Sequence, residues 1–313
     1  MKKQKKQNNE VVVDNIQEDK MEQLENIEQS KKKQKKEKRV KEITKKRFWL
    51  NIVAFAVMGC LSGIFVGNYI VETFMTKVDY SIYDEVALRA GDDVSAIARK
   101  SIVDRTSVEM FVLAEQILTD TLYYKVSGTG SVTNPVKDQK VWSENVRQDN
   151  TYTSTQISVG VKNVAFRTQY TVGSEAVVTS GSPGKNGEAT WDGQSNTLSV
   201  DKYKEEWGCP PTGVIPYIAC TRTVLTQKKE KLNDGYKCTI TLHPQASVVN
   251  YVKQMSKVSG IDAPKFLSIS IDFEIDNNNR FRKIMITESY KVNYGVTVTC
   301  GGTLDMVFEY DIA

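Results

Sequence analysis

Residues 48–71 form an unbroken run of 24 positions without a charged side chain, and no other feature of the chain restricts its fold as much. At 1.5 Å per helical residue, such a run exceeds the roughly 30 Å hydrocarbon thickness of a bilayer. A core helix of that length would show a polar stripe. This run has only Asn51, Ser62 and Asn68, while Trp49 and Tyr69 sit where interfacial aromatics belong. The sequence therefore predicts a single transmembrane helix over 48–71. A cleavable signal is excluded by length, because its apolar region runs about 7–15 residues and ends at a small-residue cleavage site.

The flanks set the orientation. Residues 31–47 hold 11 Lys or Arg, opposed only by Glu37 and Glu42, whereas Glu72, Lys77 and Asp79 follow the run. The positive-inside rule places the N-terminus in the cytoplasm and everything after Val71 outside the cell membrane. The net charge of +4 hides an asymmetry: residues 1–47 carry 16 Lys or Arg against 9 Asp or Glu, and the rest carries 26 against 29. A basic head on a slightly acidic body argues against nucleic acid as a partner of the outer domain. Residues 1–47 are too polar to offset ordering entropy and are expected to be a disordered tail. Their basic end would hold anionic lipid headgroups at roughly 1 kcal/mol per nearby cation, or act as a topology signal only. Gly59, Gly63 and Gly67 are four apart and would let a second helix approach, giving a homo-oligomer, although glycine is also common in membrane helices. Val57-Met58-Gly59-Cys60 loosely matches a lipoprotein acylation site, but eleven uncharged residues follow Cys60, which favours a plain membrane cysteine.

Beyond the membrane, residues 72–104 read as a stalk and 105–313 as one α+β domain. Thr106-Ser107-Val108-Glu109 is a capping box that opens a broadly apolar helix to about Thr119. Residues 122–178 then alternate β-branched and aromatic residues with Gly, Asn and Pro, as short consecutive strands do. Residues 181–187 read as a loop, and 199–208 as a short capped helix stopped by Gly208. Leu267, Ile269, Ile271, Phe273 and Ile275 alternate with polar residues, so one face of that strand is buried. Asn277-Asn278-Asn279 supplies a turn, 280–290 returns as the partner strand, and 296–300 and 304–310 follow around Gly301-Gly302. A helix from Pro244 to Lys257 precedes them. The expected class is α+β: a single transmembrane helix, then a curved, mostly antiparallel sheet, an open barrel covered by two or three helices.

The strands at 236–242, 267–276, 281–290, 296–300 and 304–310, with the helix after Pro244, resemble the LolA/LppX-like open-barrel fold in element order. With the upstream strands, the resemblance spans about residues 105–310. It implies an unclosed barrel around an apolar cavity that holds an acyl chain, and it assigns no site residue. A tethered relative would capture, sense or scaffold rather than shuttle. The alternative architecture is an NTF2-like cone of the VirB8 type, an assembly component of an envelope or conjugation machine; it places a helical hairpin before its strands, whereas many strands here precede Ser199.

No motif spells out a reaction. Cys209, Cys220, Cys238 and Cys300 lie outside the membrane run, an even number suited to disulfides in an oxidising compartment. Cys209 with Cys220 closes a small loop; Cys238 with Cys300 requires their strands to be adjacent, and two buried free thiols are the equal alternative. Cysteine spacing and a lone histidine, His243, argue against zinc. Glu205, Glu206, Asp272, Glu274 and Glu288 are the acids from which a hydrolytic pair would be drawn, but Asp272 and Glu274 share the wet face of a strand. Tyr203 and Trp207 read as a staple between helix and sheet. No cofactor is implied. The function expected is a non-enzymatic, membrane-anchored extracytoplasmic binding or scaffold protein of a Gram-positive-like envelope, holding a lipid or other apolar ligand; a wall-active enzyme ranks third.

Overall fold

The computed structural model describes Lys33 and residues 78–133, 137–259, 264–293 and 297–311. Two compact units divide the chain, Met1–Ile70 and Val71–Ala313, and all described residues but Lys33 belong to the second. The expectations for the tail, the run 48–71, Cys60 and the Gly59, Gly63, Gly67 face lie outside the described residues.

The expected fold class requires correction. The described residues are mostly one large antiparallel sheet with few helices, and none of these helices is long and apolar enough to cross a membrane. Helices are α1 (Glu85–Arg89), α2 (Val94–Arg99), α3 (Ser107–Asp120), α4 (Val200–Trp207) and α5 (Tyr251–Ser259). Strands are β1 (Tyr123–Thr133), β2 (Gln139–Gln148), β3 (Thr151–Val159), β4 (Val164–Thr171), β5 (Ala176–Pro183), β6 (Ala189–Thr190), β7 (Ser195–Leu198), β8 (Val224–Leu232), β9 (Gly235–Leu242), β10 (Lys265–Asp276), β11 (Phe281–Asn293) and β12 (Thr297–Tyr310). Among the described residues only α3, at 14 residues, exceeds three turns, so there the sheet carries the fold and the helices serve as partial cover.

The strand order is β6-β5-β4-β3-β2-β1-β12-β11-β10-β9-β8, with β7 also paired to β5. Two meanders, β1 to β5 and β8 to β12, thus meet where the first strand pairs the last, in register from Tyr124 with Tyr310 to Thr133 with Gly301. The sheet does not close. Its β8 edge reads Thr226-Gln227-Lys228-Lys229-Glu230-Lys231, charged and exposed, which discourages another chain from adding a strand. Ser107 on α3 also covers part of that edge, donating to the Lys228 carbonyl at 2.7 Å.

α3 forms where the capping box places it: Thr106 Oγ1 accepts from the Glu109 backbone, and the Glu109 carboxylate accepts from Thr106 N–H. Its Met110, Phe111, Ala114 and Leu118 enter the main core, which lies against β9 to β12 and β1. Phe111 stacks edge-on between Phe273 at 5.3 Å and Phe281 at 5.1 Å. The Asn-rich turn is held by Asn279, which adopts the left-handed conformation at φ 61° that asparagine tolerates and donates 2.8 Å to the Met110 carbonyl. A smaller core lies under α4, whose Ser199 cap and left-handed Gly208 (φ 84°) match the expected ends. There Tyr203 and Trp207 are buried, with Phe166 edge-on to Trp207 at 5.2 Å, so they staple helix to sheet.

Four local expectations change. The segment expected as a stalk carries α1 and α2 and is docked: Arg89 pairs with Glu115 on α3, and Asp92 accepts from Thr221. In β10 a register shift between Phe266 and Ser268 turns Phe266 inward and leaves Leu267 43 % exposed. Residues around Gly301-Gly302 do not turn; β12 passes straight through them. After Pro244 the chain makes a short 3-10 turn at Ala246–Val248 before α5 begins.

Candidate functional site

Strand periodicity sends Tyr124, Val126, Gly128, Gly130 and Val132 of β1 to the covered face, and Cys300, Gly302, Leu304, Met306 and Phe308 of β12 with them. Three of those inward positions are glycine, grouped at the middle of the sheet where a side chain would meet residues of the neighbouring strands. A Cβ at Gly128 would fall 2.3 Å from Ser143 Oγ, and one at Gly302 would fall 2.9 Å from the Glu288 side chain. Between the sheet and a cover made by α5 and the segment around Gly213 to Tyr217 lies a cleft of about 130 Å³. Val132, Leu304, Met306, Val214, Met255 and Val258 supply apolar wall; Ser143, Asn145, Gln156 and Ser158 on β2 and β3 form a polar strip. An apolar groove with a few grouped polar atoms is the usual build of a site that holds a small molecule and orients one end of it.

Beside this cleft stands one ionisable cluster. β11 alternates Ile284, Ile286, Glu288, Tyr290 and Val292 inward, so Glu288 is a carboxyl in an apolar register. It is 5 % exposed. Gly302, its cross-strand neighbour, leaves the room it occupies. Tyr217 donates to Glu288 Oε2 at 2.6 Å and Tyr251 of α5 donates to Oε1 at 3.2 Å. Both tyrosines also line the cleft. Burial is the largest influence on Glu288 and pushes its carboxyl up to about 7, against the lowering effect of the two hydroxyl donors; no cation is among the influences. The same burial, with the carboxyl beside them, raises both phenols well above their ordinary range.

A second cleft, of about 380 Å³, lies between α1, α3 and the 209–215 segment. Its charged groups are engaged with one another: Arg89 donates to both oxygens of Glu115, at 2.9 and 3.2 Å. Burial raises the Glu115 carboxyl, and the Arg89 guanidinium partly offsets this. Asp92 Oδ1 holds the Thr221 hydroxyl and N–H. These contacts fix α1 and the loop after it to the domain, a structural role.

The cysteines expected as disulfide partners are all free and buried. Cys238 on β9 and Cys300 on β12 are separated by β10 and β11. Three interstrand steps of roughly 4.8 Å each are far beyond the Cα separation that a bridge allows. Cys209 instead receives Gln254 Nε2 at 3.0 Å, and Cys220 donates to the Leu88 carbonyl at 3.4 Å. Burial raises the thiols of Cys209 and Cys238 to about 11 and pushes Cys300 up as well, so these are weak nucleophiles. Among the described residues no group of His, Cys, Asp and Glu is arranged to hold a metal. His243 Nδ1 accepts from Ala246 N–H at 3.2 Å, a cap on the turn after Pro244.

Of the acids considered from sequence, Asp272 accepts from Thr239, Glu206 pairs with Lys257 at 2.8 Å, and Glu274 faces Lys237 and Lys283 across the sheet. Glu288 alone among them points inward beside the cleft. No periodicity or motif points to Tyr217, and Tyr251 reads only as part of an apolar helix face. The signal that would have singled out Glu288 is its position two residues from Ile286 and two from Tyr290.

No family model matches this sequence, and no curated protein does. Among solved structures, the chain is similar to a DUF1329 family protein from Desulfovibrio piger ATCC 29098, at 10 % identity, a TM-score of 0.24 and coverage of 71 % of this chain and 95 % of that one. It is similar at 5 % identity and a TM-score of 0.11 to MucB in complex with MucA(peri), over 64 % of this chain and 97 % of that one. An N-terminal dehydratase from the difficidin assembly line shares 10 % identity over 67 % of this chain and 89 % of its own, with a TM-score of 0.10. At these scores the likenesses carry no argument.

Proposed function

We propose that the domain is a non-enzymatic binding module that holds an apolar molecule of the acyl-chain class between the sheet and its cover, in the manner of LolA/LppX-like open barrels. The observation that carries this reading is the cleft itself, walled by Val132, Leu304, Met306 and Met255 and bordered by a polar strip on β2 and β3. Such a site suits a molecule with a long apolar part and one polar end. The order of the elements supports the open-barrel likeness, and the open, purely antiparallel sheet suits it. We further propose that the domain works on the outer side of a cell membrane, with the basic residues of 31–47 on anionic headgroups; the charge asymmetry of the sequence supports this.

The test is native mass spectrometry of the purified full-length chain, with organic extraction of whatever co-purifies. One apolar molecule per chain is expected. Leu304→Trp, which places an indole in the cleft, should abolish that species while leaving the far-ultraviolet dichroism of the sheet unchanged. A chain that carries nothing and takes up no added fatty acid would refute the reading.

A further inference from the structure

Beside the cleft, the sheet and its cover are joined by Glu288. The carboxyl on β11 receives one hydroxyl from the Gly213–Tyr217 side of the cover and one from α5, and the two tyrosine rings lie 4.7 Å apart. The groups that face it are Tyr217, Tyr251 and, two residues along β11, Tyr290; Gly302 on β12 and Ile269 on β10 are its cross-strand neighbours and carry no charge. An ionised carboxylate only accepts, so it satisfies both hydroxyls at once. A protonated carboxyl must place its own hydrogen on one of the two tyrosine oxygens. The hydrogen of that tyrosine is then displaced and must find another acceptor, the neighbouring tyrosine oxygen or a ligand in the cleft. Tyr251 has the longer bond and is the less buried of the two, and it lines the cleft.

We propose that Glu288, Tyr217 and Tyr251 form a proton-operated clasp: when Glu288 takes up a proton from solvent, Tyr251 turns its hydroxyl hydrogen into the cleft and binds the carbonyl oxygen of an acyl ligand. In the ionised state the same hydroxyl is committed to Glu288 and the cleft loses its donor. Bond bookkeeping balances, since one proton enters, one Tyr251-to-Glu288 hydrogen bond reverses direction, and one new bond forms to the ligand. The inference rests on the reading of the cleft as a ligand site. It adds the ligand's polar end, a carbonyl acceptor, and the direction of the pH dependence: binding tightens as pH falls through the range in which Glu288 titrates, near 7.

The experiment uses a diazirine-bearing fatty acid methyl ester, which has no charge of its own, photocrosslinked to the full-length chain in lipid nanodiscs and mapped to peptides by mass spectrometry. Labelling of β2, β3 and α5 peptides should require about tenfold less ester at about pH 5.5 than at about pH 8.5. Glu288→Gln, permanently neutral, should hold affinity within about twofold across that range. Tyr251→Phe, the second variant, should cut the gain on acidification to under about threefold. Cleft labelling in the wild type that is equal at the two pH values overturns the clasp and leaves the ligand site standing, as does an unchanged pH slope in either variant. Absence of cleft labelling at every pH overturns both.

Discussion

Phe111→Ala is expected to destabilise the domain by about 3–5 kcal/mol, the range for emptying a fully packed aromatic site. Phe111 has no exposed surface and bridges α3 to the β10–β11 hairpin through edge-on contacts with Phe273 and Phe281. Edge-to-face pairs add about 0.5–1.5 kcal/mol each to the area buried, and both are lost together. The preceding residue, Met110, accepts through its carbonyl from Asn279 of the turn, so a shift of α3 to fill the cavity would strain that turn. The check is urea unfolding of the full-length chain, where the midpoint should fall with little change in slope. Phe111→Leu should recover more than half of the loss. A shift below about 1 kcal/mol for Phe111→Ala would mean that α3 does not pack on this hairpin.

Glu288→Gln carries the second large effect, and its sign depends on pH. Burial raises the folded carboxyl to about 7 from an ordinary value of 4.5, which the unfolded chain retains. Between those values the folded state keeps a proton that the unfolded chain has released. The stability this contributes is fully present below about pH 4.5 and is lost as pH rises through about 7. The total is on the order of 3 kcal/mol. Glutamine fills the same space, offers one acceptor and one donor to the two tyrosines, and does not titrate. The variant should therefore match the wild type near pH 4.5 and exceed it by up to about 3 kcal/mol near pH 8. Stability curves that run parallel across that interval would show that Glu288 titrates in the fold as it does in water.

Much of this architecture was legible because it follows from periodicity. The capping box at Thr106 to Glu109 and the Ser199 to Gly208 helix mark their own ends with residues whose side chains or conformations are needed there. The hairpin of β10 and β11 was legible from alternation and the Asn-rich turn. Where the reading failed, a nonlocal contact decided the outcome. Leu267 belongs to the apolar register by sequence, but the shift beside it gives that place to Phe266. Gly301-Gly302 has the composition of a turn; Gly302 lies mid-strand because Glu288, fourteen residues away on β11, needs the volume. The cysteines read as a disulfide set because their number is even, with two buried free thiols as the equal reading of Cys238 and Cys300; strand adjacency decides between them, and the strand order separates the two. The residues called a stalk are short capped helices whose anchors, Glu115 and Thr221, are remote in sequence.

The cleft was legible only as an implication of element order. Its sheet-side wall depends on strand order, since Val132 on β1 and Leu304 and Met306 on β12 come together only through the pairing of the first strand with the last. Tyr217 gave no signal because it comes from a segment with no regular structure.

The space between the sheet and α5 is expected to admit an apolar molecule. Cys300 lines that space, whereas Cys238 is packed against Met110 in the core with sulfurs 3.7 Å apart. Alkylation of the full-length chain by a small maleimide at about pH 8, read peptide by peptide, compares the two thiols in one sample. Modification of Cys300 should run at least about tenfold ahead of Cys238 and should be suppressed by added fatty acid methyl ester. Equal rates at the two cysteines, with no protection of Cys300, would contradict a ligand cleft.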